Sequence, residues 1–202
     1  MTLIFGYQGN GYAVVSTDLL NRRIPLELIQ MKGLDVAIRE EDGTACFVEK
    51  FRRSKMGNHW IAISGKANGS LIKKVYFTPL RDIEQKGVEL FKPWEDQSVL
   101  VMLVYQPTKG LSFCDSTNPQ KYKLTQLPIS CSISLGLIEY NDFMFKNTYD
   151  KLADKSPEEI GMIIHQTFKE LVDGQIPLNC RSALRGVSTY LANHTVRRIA
   201  RD

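Results

Sequence analysis

Thr2 and Asp18 are the residues near the start of the chain whose types and spacing could do covalent chemistry. Between them run two apolar segments, Leu3-Ile4-Phe5-Gly6-Tyr7 and Tyr12-Ala13-Val14-Val15, on either side of Gln8-Gly9-Asn10-Gly11. Glycine and asparagine tolerate the positive φ of a tight turn, so the stretch predicts a β-hairpin. Antiparallel strands of similar length return to the level at which they began, which sets Asp18 beside Thr2 and a carboxylate beside a hydroxyl. Removal of Met1 is the usual outcome before so small a residue. It would leave Thr2 with a free α-amine that can take the proton from its own side-chain oxygen and make that oxygen a nucleophile. The pattern is equally that of an ordinary edge hairpin, which needs no chemistry at all.

A second candidate lies further on. Trp60-Ile61-Ala62-Ile63 is a continuous apolar run of the kind seen in strands buried on both faces, and it ends at Ser64-Gly65-Lys66-Ala67-Asn68-Gly69-Ser70. Small residues there let the backbone approach another group closely, and a glycine N–H at a strand end can donate to an oxyanion. They suit a loop before a helix just as well.

The elements that must position these residues follow from local patterns. Leu34 to Ile38 and Thr44 to Phe51 read as strands around the acidic turn Arg39-Glu40-Glu41-Asp42-Gly43. Leu71, Ile72, Val75 and Tyr76 have helical spacing up to the break at Pro79, and Ile83 to Val88 suits a further short helix. Phe91 to Asp96 reads as loop. Val99 to Tyr105 is the clearest buried strand, returned by Leu111 to Cys114, with short strands expected at Tyr122-Lys123-Leu124 and Ile129 to Ser134. A helix is expected from Gly136 through Phe143. Another is announced by Ser156-Pro157-Glu158-Glu159, which combines an N-cap serine, proline at the first helical position and a capping-box glutamate. Ile160, Ile163, Ile164, Phe168 and Leu171 form its apolar stripe, with His165 read as a surface residue. Gly186 to Ala192 closes the chain as a last strand. Runs of strands and then runs of helices indicate an α+β layered domain with antiparallel sheets, not the alternating units of a dinucleotide-binding fold.

Composition narrows the function. The 202 residues suit a single domain over 1–202, and 43% hydrophobic with 24% charged residues is ordinary for a globular protein. A net charge of +4, interspersed along the chain, gives little reason to expect nucleic-acid or membrane binding. The basic end, Arg181, Arg185, Arg197, Arg198 and Arg201, reads as a solvated face or a subunit contact. Cys46, Cys114, Cys131 and Cys180 lie far apart, so neither a zinc cage nor a disulfide framework is signalled. Without a secretory h-region or an apolar run near the roughly 18 residues of a membrane span, the expectation is a reduced, cytoplasmic protein without a cofactor.

Taken in order, these features resemble the proteasome β-subunit family and its bacterial relatives among the N-terminal-nucleophile hydrolases. The family opens with a threonine-led hairpin ending in aspartate, which is similar to Thr2 to Asp18. It continues with a lysine at a strand start before a "G-x-x-A-D" loop, similar to Val48-Glu49-Lys50-Phe51 leading to Ser64-Gly65-Lys66-Ala67-Asn68. A strand hairpin and "G-S-G" turn before a helix resemble Val99 to Cys114 and Ser132-Ile133-Ser134-Leu135-Gly136, and a late "S-x-E-E" helix resembles Ser156 to Glu159.

The resemblance implies a four-layer α-β-β-α sandwich of two mainly antiparallel sheets flanked by helices. It implies a threonine peptidase in which Thr2 is the nucleophile and Asp18 orients a lysine. Lys50 would lower the proton affinity of the Thr2 site, the Gly65 N–H would hold the oxyanion, and Ser134 or Ser132 would sit by the amine. It further implies peptide or unfolded-protein substrates, a homo-oligomeric ring and a possible ATP-dependent unfoldase. The sequence departs from the family in four ways. The interval from Asp18 to Lys50 is long, which leaves Lys32 as a rival for the lysine role. Ser64 competes with Gly65 for the oxyanion position. Asn68 stands where the loop aspartate is expected, and Asn179-Cys180-Arg181-Ser182 is all that resembles the later Asp-x-x-Ser. An inactive, scaffolding subunit and a small-molecule amidase of the same fold are therefore the alternative readings.

Overall fold

The structure, a computed structural model, describes residues 3–18, 20–21, 37–39, 46–48, 50–66, 69–94, 99–135, 138–171, 174 and 187–201. The opening hairpin forms as expected. Strands β1 (Ile4–Gln8) and β2 (Ala13–Asp18) pair antiparallel from Ile4 opposite Thr17 to Gln8 opposite Ala13. Gly9 N–H donates to Tyr12 C=O at 2.9 Å across a turn that Gly11 completes at φ 78°. Every residue of both strands is buried, which is why their sequence shows near-continuous apolar runs instead of clean alternation.

The hairpin is the centre of a five-stranded sheet ordered β11-β1-β2-β12-β13, where β11 is Cys131–Leu135, β12 Val187–Asn193 and β13 Thr195–Arg201. A second five-stranded sheet runs β10-β9-β8-β7-β6: Thr125–Gln126, Gly110–Asp115, Val99–Gln106, Trp60–Lys66 and Phe51–Arg53. A small third sheet has the order β3-β5-β4, with β3 at Leu20–Asn21, β5 at Cys46–Val48 and β4 at Ala37–Arg39. All the pairings are antiparallel. Four α-helices are described: α1 (Gly69–Tyr76), α2 (Leu80–Lys86), α3 (Ile138–Thr148) and α4 (Pro157–Glu170).

Alternation along the strands divides the core. Leu3, Phe5, Tyr7 and Val14 pack with Met144 of α3 and Ile160, Ile164 and Phe168 of α4. The intervening residues Ile4, Ala13 and Val15 turn the other way, against Phe51, Leu103, Tyr105 and Phe113 of the second sheet. That sheet's far side, including Ile61, Ile63, Leu100 and Met102, packs on Leu71 and Val75 of α1 and Ile83 of α2. Burying each such side chain stabilises the fold by about 1.5–3 kcal/mol. Gly6 faces the second sheet so closely that a Cβ there would lie 3.0 Å from Leu103 Cδ2.

Helix α4 starts at the expected capping box: Ser156 N–H donates to Glu159 Oε2 at 2.8 Å, and Glu159 N–H donates to Ser156 Oγ at 3.3 Å. Elsewhere the structure corrects the sequence reading. His165 is not a surface residue but is 6% exposed, its Nδ1 3.0 Å from Thr189 Oγ1, which in turn lies 2.6 Å from Ser16 Oγ. The hydroxyls on β2 and β12 supply polar partners inside the helix–sheet interface, so a histidine can be buried there. The strand expected to close the chain at Ala192 is not the last, since Thr195–Arg201 forms β13 beside it, with Arg197 and Arg198 exposed as a solvated basic face requires. Gly87–Trp94 is a 3₁₀ helix where loop was expected from Phe91, and Tyr122 to Leu124 is not a strand.

His59, just before β7, is 1% exposed and neither ring nitrogen has a hydrogen-bond partner. Burial lowers its pKa from the usual value, and the Glu84 carboxylate only partly opposes that. Its folded pKa therefore lies below the unfolded one, and stability should fall as pH drops below about 6.5. The urea midpoint should decrease between about pH 7 and 5.5. His59→Leu should flatten that decrease, and an unchanged slope in the variant would contradict the assignment.

Candidate active site

The site is built where β2 ends. Asp18 is fully buried, and its own N–H donates to Leu3 C=O at 3.2 Å. Its Oδ1 accepts the Leu3 N–H at 2.7 Å, so the carboxylate is tied to the backbone immediately after residue 2. Oδ2 accepts from Lys50 Nζ at 2.5 Å. The lysine side chain is 12% exposed. A buried carboxylate is tolerable only with such partners: one oxygen has an amide, the other a cation.

Lys50 reaches this position from the residue before β6. The Tyr76 hydroxyl at the end of α1 lies 3.2 Å from Lys50 C=O and 3.0 Å from Ile61 C=O, donating its one proton between them. Burial pushes the Tyr76 pKa up, with the Arg52 guanidinium, 4.5 Å from the ring centroid, acting against it. The tyrosine thus clamps the backbone that carries the lysine. Its ring was legible as an apolar helix position, but nothing in the sequence marked its hydroxyl as a brace.

Gly65 sits on β7 opposite Leu100. Phe51 pairs with Ala62, so Gly65 lies two residues beyond the level of Lys50, about 7 Å along the strand. Its φ is +104°, and a Cβ there would come 2.0 Å from Val99 C=O. Only glycine fits, which distinguishes this position from Ser64, a buried residue paired with Val101. Ser134 on β11 lies opposite Phe5, and Ser132 opposite Tyr7. Ser134 is therefore two strand residues, about 7 Å, from the level of Leu3, and makes none of the bonds that hold the Asp18 carboxylate. Thr2, Lys32, Asn68 and the segment 179–182 lie outside the described residues.

One group went unnoticed in the sequence. Thr17, next to Asp18 and opposite Ile4 and Ser188, is fully buried with its hydroxyl unpartnered. It shares the inter-sheet face with Ile4.

No protein-family model matches this chain, and no curated protein matches it. Among solved structures, eukaryotic HslV from Trypanosoma brucei aligns with 85% of this chain and 90% of its own, at a TM-score of 0.50 and 14% identity. The fold resembles that of HslV. At such identity the likeness to HslV concerns architecture alone, and the chemistry must be argued from the residues above.

The ion pair makes a stability prediction. Lys50→Met leaves the buried Asp18 carboxylate without its cation and should cost about 3 kcal/mol. Asp18→Asn combined with Lys50→Met should cost less than the two single changes together, because the double variant buries no orphaned charge. Urea unfolding of the four proteins measures the coupling, and additive effects would show that the pair is not a buried unit.

Proposed function

We propose that this protein is a proteasome-type threonine peptidase in which Thr2, exposed by removal of Met1, hydrolyses peptide bonds through an acyl-enzyme. The likeness to HslV supports this reading at the level of the fold. The single observation that carries it is the Lys50–Asp18 ion pair, anchored to the amide of the residue that follows Thr2. In this reading the chain is one domain, with the four-layer α-β-β-α arrangement of the N-terminal-nucleophile hydrolases. It works in the cytoplasm as a homo-oligomeric ring that an ATP-dependent unfoldase can feed. No helix among the described residues is long and apolar enough to cross a membrane.

The Thr2 amine takes the proton from Thr2 Oγ, and Oγ forms a bond to the substrate carbonyl carbon. The ammonium of Lys50, held in place by Asp18, stabilises the developing negative charge on Oγ. The carbonyl electron pair moves to oxygen, where the Gly65 N–H is the donor. Collapse of the intermediate breaks the C–N bond, and the leaving amine takes the proton from the Thr2 ammonium. Water then repeats the sequence on the ester, releasing the carboxylic product and restoring the hydroxyl.

A scaffolding subunit of the same fold is the second reading. Asn68 and Asn179 at positions where the family carries acids favour it, as does the distance of Ser134 from Asp18's partners. Kinetics on natively processed protein separate the two. Thr2→Ala should abolish cleavage of fluorogenic peptides, and Lys50→Ala should lower kcat by about a hundredfold or more. Lys32→Ala should leave kcat within a few-fold of wild type. Equal turnover in wild type and Thr2→Ala would remove the peptidase reading.

A further inference from the structure

Away from the candidate site, a cleft of about 790 Å³ opens between the two five-stranded sheets at one edge. One wall comes from β6, β7 and the turn between them, the other from β12 and β13. β6 and β13 are each the last strand of their sheet. Arg52, Arg53, Lys55 and Arg198 line this cleft, and no aspartate or glutamate is among its described lining residues. Its floor is aromatic: the Phe51 ring lies 5.5 Å from that of Trp60 and 5.4 Å from that of Tyr190.

One donor in these walls is unmet. Tyr190 is 5% exposed and its hydroxyl has no hydrogen-bond partner. Tyr190 sits at an irregularity in the β12–β13 register, between Thr189 and Tyr190, of the kind that re-aims a side chain. A buried donor left unpaired is destabilising, so its retention in a wall of cations points to an acceptor that arrives from outside.

We propose that this cleft docks an extended acidic segment of a partner protein. Its carboxylates meet Arg53, Lys55 and Arg198, and an apolar side chain lies against Trp60. Guanidinium groups pair with carboxylates in a fixed fork, which gives the segment its orientation. The outermost strands offer backbone groups along its length, and the cleft is large enough for several residues instead of one small ion. The inference is independent of whether Thr2 is a nucleophile.

Trp60 supplies the readout. The chain has two tryptophans, so Trp94→Phe leaves Trp60 as the sole reporter. Titration with a synthetic peptide alternating glutamate and leucine should shift its emission saturably, with affinity falling as salt is added. The same peptide with lysine for glutamate should give no response. Arg53→Glu, at an exposed position, should weaken binding about tenfold. Tyr190→Phe, which removes only the unpartnered hydroxyl, should weaken binding without lowering stability. Absence of any Trp60 response, or equal affinity in Arg53→Glu, would overturn the proposal. So would tripolyphosphate binding as tightly as the peptide, which would make this an inorganic-anion site. An emission shift with protein concentration alone, accompanying dimerisation, would assign the cleft to a second copy of the chain and overturn the proposal as well.

Discussion

A carboxylate with no solvent exposure is the constraint on which this structure turns. A buried carboxylate needs partners, and the fold supplies Asp18 with two from different places: the Leu3 amide across the hairpin and the Lys50 side chain from beside the second sheet. Both contacts depend on register. A one-residue slip of β1 against β2 would turn every side chain of the strand to the opposite face and take Leu3 N–H away from Asp18. The hairpin is protected against such a slip because both its faces are buried, one on α3 and α4 and the other on the second sheet. The interaction that defines the candidate site is therefore held in place by the core as a whole.

The second sheet contributes through α1. Tyr76 closes that helix and sets its hydroxyl between the carbonyls of Lys50 and Ile61, joining helix, β6 and β7 at one point. Gly65 continues the same strand toward the same end, with a backbone conformation that a side chain would obstruct. Strands carry Asp18 and Gly65, and Lys50 sits immediately before β6 with its carbonyl braced by Tyr76, which is how preorganised electrostatic sites are usually supported.

Local physics made much of this legible in the sequence. The Gln8 to Gly11 turn, the apolar runs that became β7 and β8, and the capping box at Ser156 each depend on neighbours a few residues away, and each formed where expected. Long-range facts were harder. Thr195 to Arg201 carries three arginines and alternates poorly, and as an edge strand it needs less apolar patterning than a central one. His165 was misplaced because its burial depends on Thr189, contributed by a strand elsewhere in the chain. Helical spacing cannot register such a partner. The choice of lysine shows the same limit. Counting from Asp18 left Lys32 and Lys50 as rivals, whereas the ion pair to Lys50 exists only because chain-distant segments converge.

The most direct test of the central claim is covalent. An epoxyketone needs both a free α-amine and the hydroxyl of the same residue to close its ring, so it reports on terminus and nucleophile at once. Natively processed protein, treated with such a reagent and analysed by intact mass and peptide mapping, should have lost Met1 and carry one adduct, located on Thr2. Retention of Met1 with no adduct, or an adduct on any other residue, would contradict the account.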